Sequence, residues 1–264
     1  MAYARFDEIA VALDGKILRM ELAKPDKRNI INDDVNRQLT DCLNEAALDP
    51  DVHVVLLSGQ GKDFCAGGDI VRMQKKIDDP GLFYRGIQNS RRLVFAALDC
   101  PKPIVAKVQG NAVGLGATLA LMCDVVVADE EAKFLDPHVN VGLVAGDGGA
   151  LIWPQLIGFA RAKRHLLFGD PISGKQAEEF GLIAHAVPAA ELDDLAEKLA
   201  GRLARGAAQS IWGTKITMNA PLRQAAHALL DIGMGYEGLS NISKDHQEAV
   251  SAFMEKRKPS FSGD

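Results

Sequence analysis

Apolar and polar residues alternate through EIAVALDGKILRMEL (8–22), and the alternation reverses around Asp14-Gly15. That pattern predicts a β-hairpin. Beyond the polar, proline-marked loop KPDKRNIIN the period changes. Val35, Leu39, Leu43 and Ala47 recur at helical spacing, with Asn32 or Asp33 placed to cap the helix. The unbroken apolar run HVVLLSG (53–59) predicts a strand buried on both faces. QGKDFCAGGDI is a glycine-bearing loop leading to a helix from about Asp69, which that aspartate would cap, and a second helix is expected from about Leu82 to Leu98. CPKPIVAKVQG reads as a strand, NAVGLGATLALMC as a glycine-rich turn into a short helix, and DVVVAD as a further strand after a turn closed by Asp124. Strand, glycine-rich turn, helix and strand thus succeed one another at 53–76 and again at 103–129. The repetition predicts α/β layering, strands covered by helices.

The second half is mostly helical in period. Segments 160–168, 173–180, 190–205, 207–218, 221–239 and 243–256 carry helical spacing, and LIAHAVP (182–188) reads as a last strand. Pro154 is expected to kink or restart a helix begun at GGALIW, because it has no N–H to donate to residue 150. The long closing helices have few partners of their own. Their apolar faces are expected to be covered by the main domain or by another subunit.

Bulk numbers narrow the function classes. The chain has 264 residues, 47% hydrophobic and 25% charged, enough for a sizeable core without staples. A net charge of −5 argues against a nucleic-acid footprint, which needs a concentrated basic face. Cys42, Cys65, Cys100 and Cys123 are widely spaced with no CxxC pair. They are expected to be reduced, buried thiols of a cytoplasmic protein, with no metal site. The opening MAYARFDEIAVALDG has acids and no apolar stretch of a secretory signal, and no apolar run approaches the ~20 residues of a bilayer span. No membrane partner is expected.

Three stretches could carry chemistry. FCAGGD and VGLGAT each end a strand with small residues and begin a helix. Facing each other, two such ends would offer converging N–H groups, an oxyanion hole; alone, their glycines need only permit tight turns. Neither is a phosphate-binding P-loop, since no GK[ST] follows, and GNAVGLG lacks the full GxGxxG. The third stretch is HVNVGLVAGDGG (138–149), where His138 and Asp147 stand nine positions apart. They are either a catalytic pair or a loop histidine and the cap of the next helix.

DFCAGGDI, PKPIVAKVQGNAVGLGATLALMCDVVVADEEAKF, LFGDPISGKQAEEFGLIAHAVP and SAFMEKRKPSF resemble, in order and over nearly the whole chain, the enoyl-CoA hydratase/isomerase (crotonase) superfamily. The resemblance implies an α/β spiral of ββα units over 1–198 and a helical trimerisation region over 199–264, assembled as a homotrimer or a dimer of trimers. It implies an acyl-CoA substrate, coenzyme A entering as part of the substrate with no tightly bound cofactor. The thioester carbonyl would lie between the N–H groups of Gly68 and Leu115, beside Ala66, with Lys256 of the EKRK segment near the CoA phosphates. The basic residue that follows GxDI in the family falls on Val71, with Arg72 one position along.

The departures carry as much information. The two glutamates that handle water in family hydratases fall on Thr118 and His138. A threonine holds a water but is no base near neutral pH; a histidine is one. The aspartate used by dienoyl-CoA isomerases falls on Gly146, one position before Asp147. GDGGALIWPQLIG, with a histidine nine residues before its aspartate, is similar to the 6-oxocamphor hydrolase branch, whose matching pair activates water to cleave a β-diketone. Asp147 is expected to hold one nitrogen of the His138 ring while the other takes a proton. Three readings stay open: a CoA-dependent hydratase or isomerase, a C–C bond hydrolase without CoA, and a non-catalytic acyl-CoA-binding trimer. His165, His185, His227 and His246 are read as structural.

Overall fold

Gly15 takes φ +57° and closes the expected hairpin: β1 (Ile9–Asp14) pairs antiparallel with β2 (Ile17–Leu22), Asp14 opposite Ile17. A computed structural model describes residues 3–264. Asn32 caps α1 (Asp33–Leu48), its side-chain oxygen accepting from the N–H groups of Asp34 and Val35. Next come β3 (Val54–Gly59), α2 (Ile70–Asp78), α3 (Pro80–Asp99), β4 (Ile104–Val108), β5 (Asn111–Val113) and α4 (Leu115–Leu121). The chain continues with β6 (Val125–Asp129), β7 (Lys133–Leu135), a 3-10 turn at His138–Val141 and α5 (Gly149–Phe168). It ends with β8 (Ile172–Ser173), α6 (Gly174–Phe180), β9 (His185–Val187), α7 (Ala189–Ala204), α8 (Ala208–Asn241) and α9 (Lys244–Met254).

The large sheet runs β1-β2-β3-β4-β6-β9, parallel from β2 onward, and a small sheet runs β5-β7-β8. Two strands of the large sheet are each followed by a short one that crosses to the small sheet and then by a helix: β4, β5, α4, and β6, β7, α5. After β3 the short strand shrinks to one bridge, Cys65 with Ala112. This is the α/β layering predicted from the repetition, in the spiral of ββα units that the family resemblance implies. Side chains alternate across the large sheet as strand geometry requires. Val54, Leu56, Val105 and Val127 pack under Leu192, Ala196, Ala200 and Ala204 of α7, while Val55, Leu57 and Ala106 face the main core. Residue 198, the boundary drawn from the sequence, falls inside α7.

Two helix expectations need correction. Pro154 sits within α5 without ending it; the break comes at Gly158, whose φ +74°, ψ 160° is open to glycine. The segments 207–218 and 221–239 are one helix, α8, running through Pro221. Tertiary contacts on both sides of the proline hold it. Lys215 Nζ lies 2.8 Å from Asp124, Asn219 donates to Leu98 O at 3.1 Å, and Ala226 and Leu230 are buried in the core. Asp124 thus does more than close a turn: it also accepts from the Ile104 N–H at 2.6 Å, tying β4, β6 and α8 together. All four cysteines are free and buried, and burial pushes the Cys65 thiol up to about 12. No helix among the described residues is long and apolar enough to cross a membrane.

Candidate active site

The two glycine-bearing loops are stitched together. The Cys65 N–H donates to Asn111 O (2.9 Å) and the Val113 N–H to Cys65 O (3.0 Å). Gly67, at φ +85°, permits this closeness, since a Cβ there would stand 2.6 Å from Val113 O. Ala66, Gly68, Gly114 and Leu115 line one cavity of about 140 Å³. Leu115 opens α4, so its N–H has no helical partner. Neither it nor the Gly68 N–H donates to a carbonyl among the described residues.

His138 lines the same cavity, and here the structure departs from expectation. Asp147 was to take one ring nitrogen and leave the other free. Instead Nδ1 is hydrogen-bonded to Asp136, and Nε2 faces Asp147 Oδ2 at 3.5 Å. Burial alone would depress the ring's basicity, but the two flanking carboxylates overcome it and hold His138 well above the usual histidine range. The ring is therefore an imidazolium near neutral pH, with no lone pair to act as a base. Asp147 does not cap α5 either: the N-cap is Gly148, and no side chain bonds there. Asp147 Oδ1 has no hydrogen-bond partner. One ligand atom each from Asp136, His138 and Asp147 lies within 4.8 Å of the others, a spacing a metal could use. The two carboxylates sit on opposite ring nitrogens, however, and a metal bound to one nitrogen leaves the carboxylate on the other outside its reach.

The structure adds residues that sequence reasoning missed. Glu237 of α8 is buried, lines the cavity, and has Oε2 without a partner. Burial, reinforced by the neighbouring Asp147 charge, raises its carboxyl to about 8, so it carries a proton at neutral pH. A Cβ on Gly146 would stand 2.8 Å from Glu237 Oε2 and 2.4 Å from Gly233 O, so the carboxyl of α8 occupies space that a side chain at 146 would need. His246 of α9, read as structural, also lines the cavity. Its Nδ1 bonds Val141 O at 2.6 Å and burial lowers its basicity, leaving a neutral ring with Nε2 unpartnered. Asp136, two residues before His138, is a local partner, whereas the sequence pattern points to Asp147 nine residues on. For Glu237 the signal is Gly233, a glycine in a helix interior that disfavours the helix by about 1 kcal/mol; a Cβ there would stand 3.1 Å from Gly146 Cα.

Other expected residues lie elsewhere. Thr118 is buried on α4 but borders a small apolar void with Leu93, Val94 and Met122, away from the lining of the main cavity. Helix geometry turns its side chain inward, where its methyl would stand 2.5 Å from a Cβ on Gly148. Lys256 is exposed just beyond α9 and outside the cavity lining. The side chain of Val71 lies outside the described residues; Arg72 pairs with Asp33 at 3.3 Å. His165 and His227 are packed on aromatic rings, Trp153 with Phe180 and Phe95 respectively, and His185 sits in β9.

A spiral of ββα units with a cavity at two stitched loops defines an α/β protein of the crotonase class. The sequence profile of the enoyl-CoA hydratase/isomerase family matches residues 13–264, and the chain belongs to that family. It is 34% identical over 253 residues to the 1,2-epoxyphenylacetyl-CoA isomerase of Escherichia coli (strain K12), covering 94% of this chain and 95% of that protein. It is 32% identical over 261 residues to the 2,3-dehydroadipyl-CoA hydratase of the same strain, covering 97% and 99%. A crystal structure of an enoyl-CoA hydratase/isomerase from Mycobacterium paratuberculosis superposes with a TM-score of 0.85 at 36% identity, covering 92% of this chain and 97% of that one. An enoyl-CoA hydratase from Mycobacterium avium subsp. paratuberculosis K-10 gives 0.88 at 29% identity, covering 97% and 99%.

Proposed function

We propose that this chain is a hydratase- or isomerase-type enzyme acting on an acyl-CoA thioester. The carbonyl lies between the N–H groups of Gly68 and Leu115, and the charge that develops on its oxygen is stabilised there. His138 is a fixed cation held by Asp136. Asp147, in contact with that cation and with a free oxygen, is the proton acceptor. Glu237 is the proton donor. In a hydration, Asp147 Oδ1 takes a proton from water as its oxygen bonds the β-carbon. The resulting enolate is held at the two N–H groups, and Glu237 delivers its proton to the α-carbon. The proton then passes from Asp147 to Glu237 and the site is reset. An isomerisation uses the same two carboxyl groups to remove a proton at one carbon and return one at another.

The observation that carries this reading is the placement of two carboxyl groups, one paired with a cation and one protonated, in the cavity that Gly68 and Leu115 line. Divergent protonation of neighbouring carboxyls is how an acid and a base are kept apart in one site. The test is turnover of short 2-enoyl-CoA thioesters by the wild type, Asp147→Asn and Glu237→Gln. Each variant is expected to lose at least about 100-fold in kcat while coenzyme A still raises Tm. Unchanged kcat in both removes the carboxyl pair from the mechanism.

The second reading, hydrolysis of a β-dicarbonyl compound without CoA, draws on the His138–Asp147 contact. A Tm raised by a cyclic β-diketone and not by CoA would favour it, and a Tm raised by neither would favour a non-catalytic role. For assembly, a homotrimer or dimer of trimers is supported by exposed Ile232, Tyr236, Leu239 and Ile242 near the end of α8, with Lys256 the residue to test against the CoA phosphates. Four buried cysteines with free thiols support a cytoplasmic location.

A further inference from the structure

Lys76 of α2 brings to the cavity a charge that the proposed chemistry does not use. Two residues of α3 that line the same cavity locate its ammonium. A Cβ on Gly86 would stand 3.0 Å from Lys76 Nζ, and the Phe83 ring centre lies 6.0 Å from it. Glycine is disfavoured in the interior of a helix, and here the missing side chain leaves room for the ammonium. On α8 the Glu237 carboxyl, also in the lining, feels the same charge, which opposes the effect of its burial. Asn241 Nδ2 donates to Lys76 O at 3.1 Å and ties the lysine's backbone to α8. The residue is half-buried, so solvent and a ligand reach it. The other titratable groups of the lining have their charge balanced or absent. Asp33 pairs with Arg72 at 3.3 Å through Oδ2, while its Oδ1 borders Gly86. His138 lies between Asp136 and Asp147, Glu237 is protonated and His246 is neutral. Among the described residues no carboxylate pairs with the Lys76 ammonium. The corner where α1, α2 and α3 meet the cavity is therefore net positive.

Water solvates this ammonium while the cavity is open. A plain alkyl end that displaces the water leaves a cation without a counter-charge, which weakens binding. A carboxylate at the far end of the acyl chain replaces that water with a charge-assisted hydrogen bond. Met73, Phe83 and Ile87 of the lining offer apolar surface to the methylenes between. We infer that the acyl group taken by this site ends in a carboxylate paired with Lys76, the substrate being the mono-CoA thioester of an unsaturated dicarboxylic acid. The inference rests on the acyl-CoA reading above. Lys76 is then a specificity-determining residue, distinct from the carboxyl pair that moves protons.

The test measures kcat/KM for pairs of 2-enoyl-CoA thioesters of six to eight carbons, each pair matched in length and ending in a methyl or a carboxylate. On the wild type the carboxylate member of at least one pair is expected to exceed its methyl partner at least about tenfold, as a hydrogen bond to a charged group implies. Lys76→Met is expected to abolish that preference, and Lys76→Arg, which keeps the charge, to retain part of it. A lysine that acted only by holding α2 in place, or through its field on Glu237, would lower both members alike and leave their ratio as it was. The wild-type comparison decides the matter even where a variant fails to fold. Equal values, or a preference for the methyl end, at every length overturn the inference and leave the acyl-CoA reading standing. A carboxylate preference that survives Lys76→Met overturns it as well. No turnover of any thioester together with no rise in Tm with CoA overturns both.

Discussion

The His138 ring lies against Gly114: a Cβ on that glycine would stand 3.4 Å from His138 Cε1. Gly114 is the N-cap of α4, whose first residue is Leu115. The imidazolium therefore borders the loop that presents an unpaired N–H to the cavity. Two glycines of GDGG stand against carboxyl groups of the same site. A Cβ on Gly149 would collide with Asp136 Oδ2, and one on Gly146 with Glu237 Oε2. The motif clears room for carboxyl groups that arrive from other parts of the chain.

Gly114→Ala tests that contact. Its φ +53°, ψ −121° is disfavoured for any residue with a Cβ, and the new methyl presses on the ring. The strain should cost about 1–3 kcal/mol of stability by urea unfolding. If His138 works from its present place, kcat on an enoyl-CoA should fall while the protein remains folded. Full kcat in a folded variant would separate the ring from the reaction.

Asp136→Asn tests whether the cation needs its Nδ1 carboxylate. Removing one partner of a buried ion pair leaves the other uncompensated, a loss of roughly 3 kcal/mol. The His138 titration, followed by NMR of the ring, should move down toward the ordinary histidine range. A ring that titrates unchanged would mean that Asp147 alone holds the charge.

The alkaline side of the stability profile has a definite sign. His138 and Glu237 both bind protons more tightly in the folded chain than in the unfolded one. Their contribution is full below the unfolded values, near ~6.5 and ~4.3, and is lost as pH rises through the folded ones. For Glu237 that loss runs upward from the unfolded value and is complete at about 8. Wild-type Tm should therefore fall as pH rises from about 6 to 8, kcat should fall near the upper end as the donor ionises, and Glu237→Gln should flatten the Tm decline. A Tm that rises over this interval contradicts the assignment.

The frame was legible because it is local and periodic. The hairpin at Asp14-Gly15, the Asn32 cap and the doubly buried β3 each follow from a few adjacent residues. The two loops could be placed on strand-to-helix junctions for the same reason. The cavity floor could not, because it is assembled across distance. Glu237 lies 90 residues beyond Asp147 on a helix whose neighbouring Tyr236 is exposed, and His246 carries an Nδ1 bond to Val141, 105 residues away. Apart from Gly233, nothing in their own neighbourhoods distinguishes them from a solvated face. The pairing of His138 was half visible, since Asp147 was named and Asp136 was not. Deciding which carboxylate takes which nitrogen required the conformation of the turn at Pro137.

The position of Glu237 depends on how α8 is anchored, and this can be measured. Lys215, near the start of the helix, is buried against Asp124, and 22 residues separate it from Glu237. Burial raises the Asp124 carboxyl, with the Lys215 ammonium pulling the other way. Lys215→Met strands it and should cost roughly 3 kcal/mol in urea unfolding. Lys215→Met with Asp124→Asn removes both charges and keeps an oxygen to accept from the Ile104 N–H, so the double variant should be more stable than the single one. Costs that simply add would show that the two side chains do not sense each other. Turnover gives the second readout. If the anchor positions Glu237 through the helix, the single variant should lose kcat in proportion to its disorder of α8, and the double variant should regain it.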